Sequence, residues 1–199
     1  MSALTVDHSA SNGHEWDDLV RIWEETDAPE GCKVEIIEGI VTVTPPPDNR
    51  HNYIAERIQR RLYSVIPEDW GIYQTLGAAV PSRSSLFIPD LAVVPDTVVL
   101  SESGHYVPAA AAELVVEVTS AANANHDRIK KAETYAKAGV PLYLLVDRYA
   151  PGGPTVTLYG EPKDGVYRVL KAVPFGGQIE LPGPFDLVLD TKVFPDEGE

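Results

Sequence analysis

Two acidic residues stand where apolar ones are expected. In "ELVVEVTS" the run Leu114-Val115-Val116 begins as a buried strand does and then carries Glu117, and in "LFIPDLAVV" Asp90 follows Pro89 inside a second apolar run. A carboxylate taken out of water is unfavourable unless it is paired, protonated or bound to a metal. If the two strands are neighbours, the carboxylates converge, and two like charges that close cannot both stay ionised without a cation. Hard divalent ions meet that need, since Mg²⁺ is usually held by one or two carboxylates together with waters and a substrate phosphate. The competing reading is that each acid caps a strand end or pairs with an arginine.

A third charged group follows on a helix expected over roughly 124 to 138 and stopped by Gly139 and Pro141. Asp127 and Lys131 are four apart and share one face. Lys131 then lies beside Tyr135, at the edge of an apolar stripe of Ile129, Ala132 and Ala136, with Lys130 turned further out to solvent. A helix that leaves the Glu117 strand and folds back on the sheet returns Lys131, as a solvent-reaching ammonium, toward the two acids. There it could orient a water or stabilise developing negative charge. The plainer alternative is a salt bridge to Asp127.

These residues need elements to hold them. In "EWDDLVRIWEET", Trp16, Leu19, Val20 and Trp23 form one face of an amphipathic helix. "KVEIIEGIVTVTPPPD" reads as two short strands joined at Glu38-Gly39 and closed by three prolines, and "YIAERIQRRLYSVI" is a second helix carrying Ile54, Ile58, Leu62 and Val65. β-like runs follow in "GIYQTLGAAV", "SLFIPDLAVV" and "ELVVEVTS", and "PLYLLVDRY" is apolar on both alternations, as a central strand with both faces covered. The tail, from "PTVTLYGEPKDGVYRVLKAV" through "QIELPGPFDLVLDTKVF", alternates with period two, the mark of antiparallel strands. The expected class is α/β, a mixed β-sheet flanked by helices with added C-terminal antiparallel strands. Residues 14–199 are expected to form a single domain, and residues 1–13, small and polar, to be disordered.

Composition narrows the function classes. The 199 residues include 44% apolar ones, and 30 acidic residues face 16 basic ones for a net charge of −14, so the average surface field repels polyanions. A phosphate-binding role must therefore rest on a local patch. "RHNYIAERIQRRLY" supplies one candidate in Arg50, His51, Arg57, Arg60 and Arg61, the bland alternative being a solvated helix face. A single cysteine, Cys32, excludes an internal disulfide framework and a Cys-rich zinc site. No apolar run is long enough to span a bilayer, and the first residues lack the basic and apolar regions of a secretory signal, so a cytoplasmic location without membrane contact is expected.

Taken in order, Pro89-Asp90, Glu117-Val118-x-Ser120, Asp127, Lys131 and "YAKAGVPLYLLVD" resemble the Uma-two family, a bacterial group of endonucleases in the PD-(D/E)xK, restriction-endonuclease-like superfamily. "VEIIEGIVTVTPPPDNRHNYIAERI" looks like that family's opening, and the resemblance runs from about residue 16 to 175. It departs from the superfamily pattern at Thr119, where E-x-K would place the lysine; the resemblance implies that the lysine has moved to the helix as Lys131. It also implies Glu35 and His51 as a supporting acid and histidine at the entrance, Ser120, Asp127 and Tyr135 as supporting residues, Mg²⁺ or Mn²⁺ on Asp90 and Glu117, nucleic acid as partner, DNA first, and a homodimer. By the same resemblance the single domain expected over residues 14–199 is restriction-endonuclease-like. The expected function is metal-dependent hydrolysis of phosphodiester bonds. A catalytically weak or inactive binding or regulatory module on the same fold is the alternative.

Overall fold

A computed structural model describes residues 14–121 and 124–195; the expected disorder of residues 1–13 lies outside them. Among the described residues, thirteen strands fall into two main sheets and a hairpin. The first helix, α1 (His14–Glu25), lays Leu19 and Trp23 on Ile36, Ala79 and Leu86 of a five-stranded sheet. That sheet runs in the order β2 (Ile40–Thr44), β1 (Lys33–Ile37), β5 (Ser85–Phe87), β4 (Gly77–Val80), β7 (Tyr106–Pro108). The β1–β2 turn is the expected Glu38-Gly39 pair, with φ 49° and 85°. Positive φ at both central residues matches the twist of the strands they join.

The larger sheet runs β11 (Val166–Pro174), β10 (Thr155–Lys163), β9 (Leu142–Asp147), β8 (Leu114–Val118), β6 (Leu91–Pro95), β3 (Trp70–Tyr73). Only β8 and β9 are parallel in it; the other neighbours are antiparallel, so the sheet is mixed. Both central strands are buried along their whole length, as "PLYLLVDRY" suggested. Along β8, Leu114, Val116 and Val118 face a core built with Ile54, Ile58 and Leu62 of α2 (Asn49–Leu62) and with the hairpin β12 (Gln178–Leu181) and β13 (Leu187–Asp190). The alternate positions, Val115 and Glu117, face the opposite side, where Phe87 of the five-stranded sheet and Tyr135 pack with Tyr143 and Leu145. Strand alternation alone thus aims Glu117 between the two sheets.

The β8–β9 crossover carries the helix, and its shape departs from the expected regular one. A π-helical turn, His126–Lys131, runs into α4 (Ala132–Ala138). The wider turn buries both Asp127 and Lys131 and rotates Ile129 out to 60% exposure, so Ile129 does not belong to the core stripe that regular spacing assigned it. Lys131 is likewise not solvent-reaching: it is 5% exposed. Gly139, at φ 83°, ends the helix as expected, with Val140 N–H donating to Tyr135 O at 3.1 Å. A short helix, α3 (Asp96–Ser101), has no counterpart in the sequence reading. Among the described residues no helix is long and apolar enough to cross a membrane.

Asp48 caps α2, accepting from His51 N–H at 2.8 Å and from Arg148 Nη1 at 2.9 Å. It fixes the helix start that carries His51. Asp48→Ala is expected to lower unfolding free energy by about 1–2 kcal/mol, the usual scale for a lost N-cap. Urea denaturation checks this; an unchanged midpoint would show that the cap carries no stability.

Candidate active site

The chain passes from the smaller sheet to the larger one through Ile88-Pro89-Asp90, between β5 and β6. Register then decides what Asp90 meets. Leu91 pairs with Val116, so Asp90, one residue earlier, stands beside Glu117 on the antiparallel neighbour. Asp90 Oδ2 accepts from Val118 N–H at 2.7 Å. The expected adjacency of the two acids is therefore present, and both are buried.

Each acid has its own set of partners. Lys131 Nζ lies 2.9 Å from Glu117 Oε1, 3.1 Å from Glu35 Oε1 and 3.5 Å from Asp127 Oδ1, one ammonium among three carboxylates. Tyr135 Oη donates to the same Glu117 oxygen at 3.1 Å, and Glu35 also accepts from Ile88 N–H at 2.8 Å. Asp90 takes a different pair: His51 Nε2 at 2.9 Å from Oδ2 and Lys33 Nζ at 2.5 Å from Oδ1. A carboxylate at that distance calls for the imidazole proton on Nε2, which leaves Nδ1, buried, without a protein partner. The four acids, the two lysines and His51 line a cavity of about 280 Å³, which Pro45, Pro46, Pro47 and Ser120 also line.

Lys33 is the residue the sequence reading missed. Its signal was present in "KVEII": Lys33 and Glu35 are two apart on a strand and so share a face. Thr119, where the superfamily pattern would put a lysine, turns elsewhere. Its hydroxyl donates to Asp147 Oδ1 at 3.2 Å and accepts from Arg148 N–H at 3.0 Å. Arg128 clamps the same Asp147 from the π-helical turn, at 2.5 and 2.8 Å. Lys130 is half-exposed and tied to Glu38 at 2.8 Å. Of the basic patch, Arg57, Arg60 and Arg61 surround a separate groove with Val188 and Phe194. Arg60 is engaged by Glu56, and Arg57 stacks on the Tyr53 ring at 4.7 Å. They do not line the acidic cavity.

Electrostatics sort the acids. Burial pushes the Glu117 carboxyl up, Lys131 pulls it down, and the neighbouring Asp90 and Asp127 raise it again, to about 8. Burial likewise raises Asp127, to about 6 against the pull of Lys131. Asp90 is also buried, but Lys33 and the His51 contact outweigh that and hold it below the ordinary carboxylate range. Lys131, despite burial, is held well above its usual value by Glu117, Glu35 and Asp127. Lys131 thus keeps its charge, and Glu117 is the acid of the cluster that burial and its acidic neighbours make hardest to ionise.

The donor set fits a divalent cation. Counting lysines and carboxylates alone, Glu35, Asp90, Glu117 and Asp127 face Lys33 and Lys131, a formal excess of two negative charges. No group of three or more His, Cys, Asp or Glu side chains among the described residues is gathered to hold a metal by protein ligands alone. Mg²⁺ does not require one, because waters and substrate phosphate complete its shell.

Because Glu117 and Asp127 bind protons more tightly folded than unfolded, their contribution to stability is complete below their ordinary values and is lost as pH rises through about 6 and about 8. The melting temperature of the metal-free protein should therefore fall between pH 5 and pH 8. Glu117→Gln, which cannot ionise, should flatten that decline; a wild-type curve flat over this range would contradict the assignment.

The Uma2 family model, described as "Putative restriction endonuclease", matches residues 16–192. Among solved structures, "a putative nuclease belonging to DUF820" from Anabaena variabilis ATCC 29413 is similar at 19% identity, over 89% of this chain and 94% of that one, with a TM-score of 0.67. A likeness at that identity shows the fold. No curated protein matches the sequence. With the match running from α1 to the turn after β13, the chain belongs to the Uma2 family of restriction-endonuclease type.

Proposed function

We propose that this protein is a divalent-metal-dependent endonuclease that hydrolyses phosphodiester bonds in DNA. The observation that carries the reading is the buried cluster in which four carboxylates outnumber two lysines in the lining of one cavity. Asp90 and Glu117 are the residues that would hold Mg²⁺ or Mn²⁺. When bound, the cation would polarise the phosphoryl oxygens and lower the pKa of a water. Lys131, fixed by three acids, holds a positive charge beside Glu117 at a constant position, as a donor must that meets charge developing in a transition state. Tyr135 shares the Glu117 oxygen with Lys131 and orients that carboxylate. His51, which also lines the cavity, is held by Asp90 through its ring and by the Asp48 cap through its backbone N–H.

Cleavage of a supercoiled plasmid by pure protein with Mg²⁺ or Mn²⁺ tests this. Binding without turnover would instead favour a regulatory module. Lys131 and Lys130 separate chemistry from surface charge. Lys131→Ala should lower turnover by about 10²- to 10³-fold, the scale of one preorganised electrostatic donor, and Lys130→Ala should leave it near wild type. Since Lys131 is buried among three carboxylates, its loss should also destabilise the fold by about 3–5 kcal/mol. Turnover is therefore compared below both melting temperatures; similar turnover in the two variants would remove Lys131 from the chemistry.

For the substrate, Arg50, Arg57, Arg60 and Arg61 of α2 are the candidate local positive surface, with Arg57 and Arg60 also paired to Glu56. Replacing Arg57, Arg60 and Arg61 with alanine should reduce the salt dependence of DNA binding by roughly 0.7 to 0.9 per lost phosphate contact. Binding isotherms at several salt concentrations measure it; an unchanged slope would return these arginines to helix solvation.

A further inference from the structure

The two lysines of the cluster are not equivalent. Lys131 has a side chain 6% exposed and three carboxylate partners. Lys33 has a side chain 24% exposed, and among the carboxylates it is given one partner, Asp90, at 2.5 Å. Its second contact is the carbonyl of Ile88 at 3.1 Å, which would still hold the ammonium if Asp90 were taken by something else. The two oxygens of Asp90 differ in the same way. Oδ2 is bound by a backbone N–H and a buried imidazole, both fixed in place. Oδ1 is bound by the tip of a long, partly exposed side chain that itself lines the cavity.

We propose that Lys33 is a resident counter-ion of the metal site: it occupies Asp90 Oδ1 while no divalent cation is present, must give up that oxygen when one binds, and so sets the metal affinity of the protein. The inference rests on the reading of Asp90 and Glu117 as metal-holding residues. Electrostatics give its sign. A buried carboxylate without a cation is strongly disfavoured, so Lys33 stabilises the empty site, and whatever it stabilises there is subtracted from the binding of a competing cation. Removing the ammonium also removes a repelling charge next to the incoming ion. Lys33 therefore opposes metal binding, whereas an acid that holds the metal favours it. No purely architectural role for Lys33 would have that sign, since loosening a site weakens its ligand.

The test is calorimetric titration of the intact protein with Mn²⁺, wild type against Lys33→Met, Lys33→Gln, Lys33→Arg and Glu117→Gln, with melting curves for each. Both neutral Lys33 variants should bind Mn²⁺ at least about tenfold more tightly than wild type, corresponding to one charge removed near the ion. Lys33→Arg should stay near wild type, and Glu117→Gln should lose binding. Melting temperatures should show the same order, with Mn²⁺ raising those of Lys33→Met and Lys33→Gln by more than that of wild type. Lys33→Gln retains a polar, uncharged side chain and serves if Lys33→Met does not fold. Unchanged or weaker Mn²⁺ binding in the neutral variants, with Glu117→Gln still defective, overturns the role of Lys33 and leaves the metal site standing. Absence of Mn²⁺ binding in wild type and neutral variants alike overturns both.

Discussion

One ammonium among three carboxylates is the constraint on which this structure depends. Lys131 joins Glu35 of the smaller sheet, Glu117 of the larger one and Asp127 of the crossover helix. Three separate pieces of backbone must meet around it at fixed distance. Such a cluster is not there for stability, because the penalty for desolvating that many charges generally exceeds their mutual attraction, and apolar residues of similar volume would hold the sheets together at least as well. The sheets have ample apolar contact already in Phe87, Val115, Tyr135 and Tyr143. What the cluster supplies is a concentrated negative site, protected from bulk water and opening on one cavity.

Keeping that arrangement in place falls to a second set of ion pairs at the end of β9. Asp147 takes Arg128 from the π-helical turn and the Thr119 hydroxyl from the end of β8. The next residue, Arg148, reaches across to Asp48 at the start of α2. Two consecutive residues of one strand end thus tie down the helix that carries Lys131 and the helix that carries His51. Side chains held by partners that are themselves held have few alternative rotamers, which is how a site keeps its geometry before a ligand arrives. The π-helical turn belongs to the same set: it gives up regular hydrogen bonding to bring Asp127 and Lys131 inward together.

Much of this was legible in the sequence wherever periodicity and polarity disagreed. Glu117 and Asp90 stood out because apolar runs seldom tolerate an acid, and register then placed them side by side. The Glu38-Gly39 turn, the Gly139 helix stop and the covered strand Leu142–Asp147 were written in local residue chemistry. What local chemistry does not encode is how strands distribute between sheets. Short strands such as Ser85–Phe87 and Leu91–Pro95 lie three residues apart yet belong to different sheets. That division brings β1 next to the acids, so the share of Lys33 in the site could not be read without it. Ile129 failed for another reason: an inserted π turn shifts the helical phase, and the pattern of 3.6 residues then points the wrong way.

The net charge of −14 sets a last condition on any phosphate-binding role. A polyanion approaching this surface meets repulsion on average, and the cavity itself carries an excess of carboxylates. On the proposed reading, cation and phosphate cannot bind independently. The cation cancels the charge that excludes phosphate, the phosphate supplies oxygens that the protein withholds from the cation, and by linkage each raises the affinity for the other by the same factor. Lys33 belongs in that linkage as the group that leaves. Its ammonium would keep Asp90 compensated while the site is empty, and its side chain is 24% exposed, whereas Lys131 is buried among three carboxylates. On that reading, two lysines on one acidic cluster, one fixed and one yielding, make the filled site conditional on both ligands.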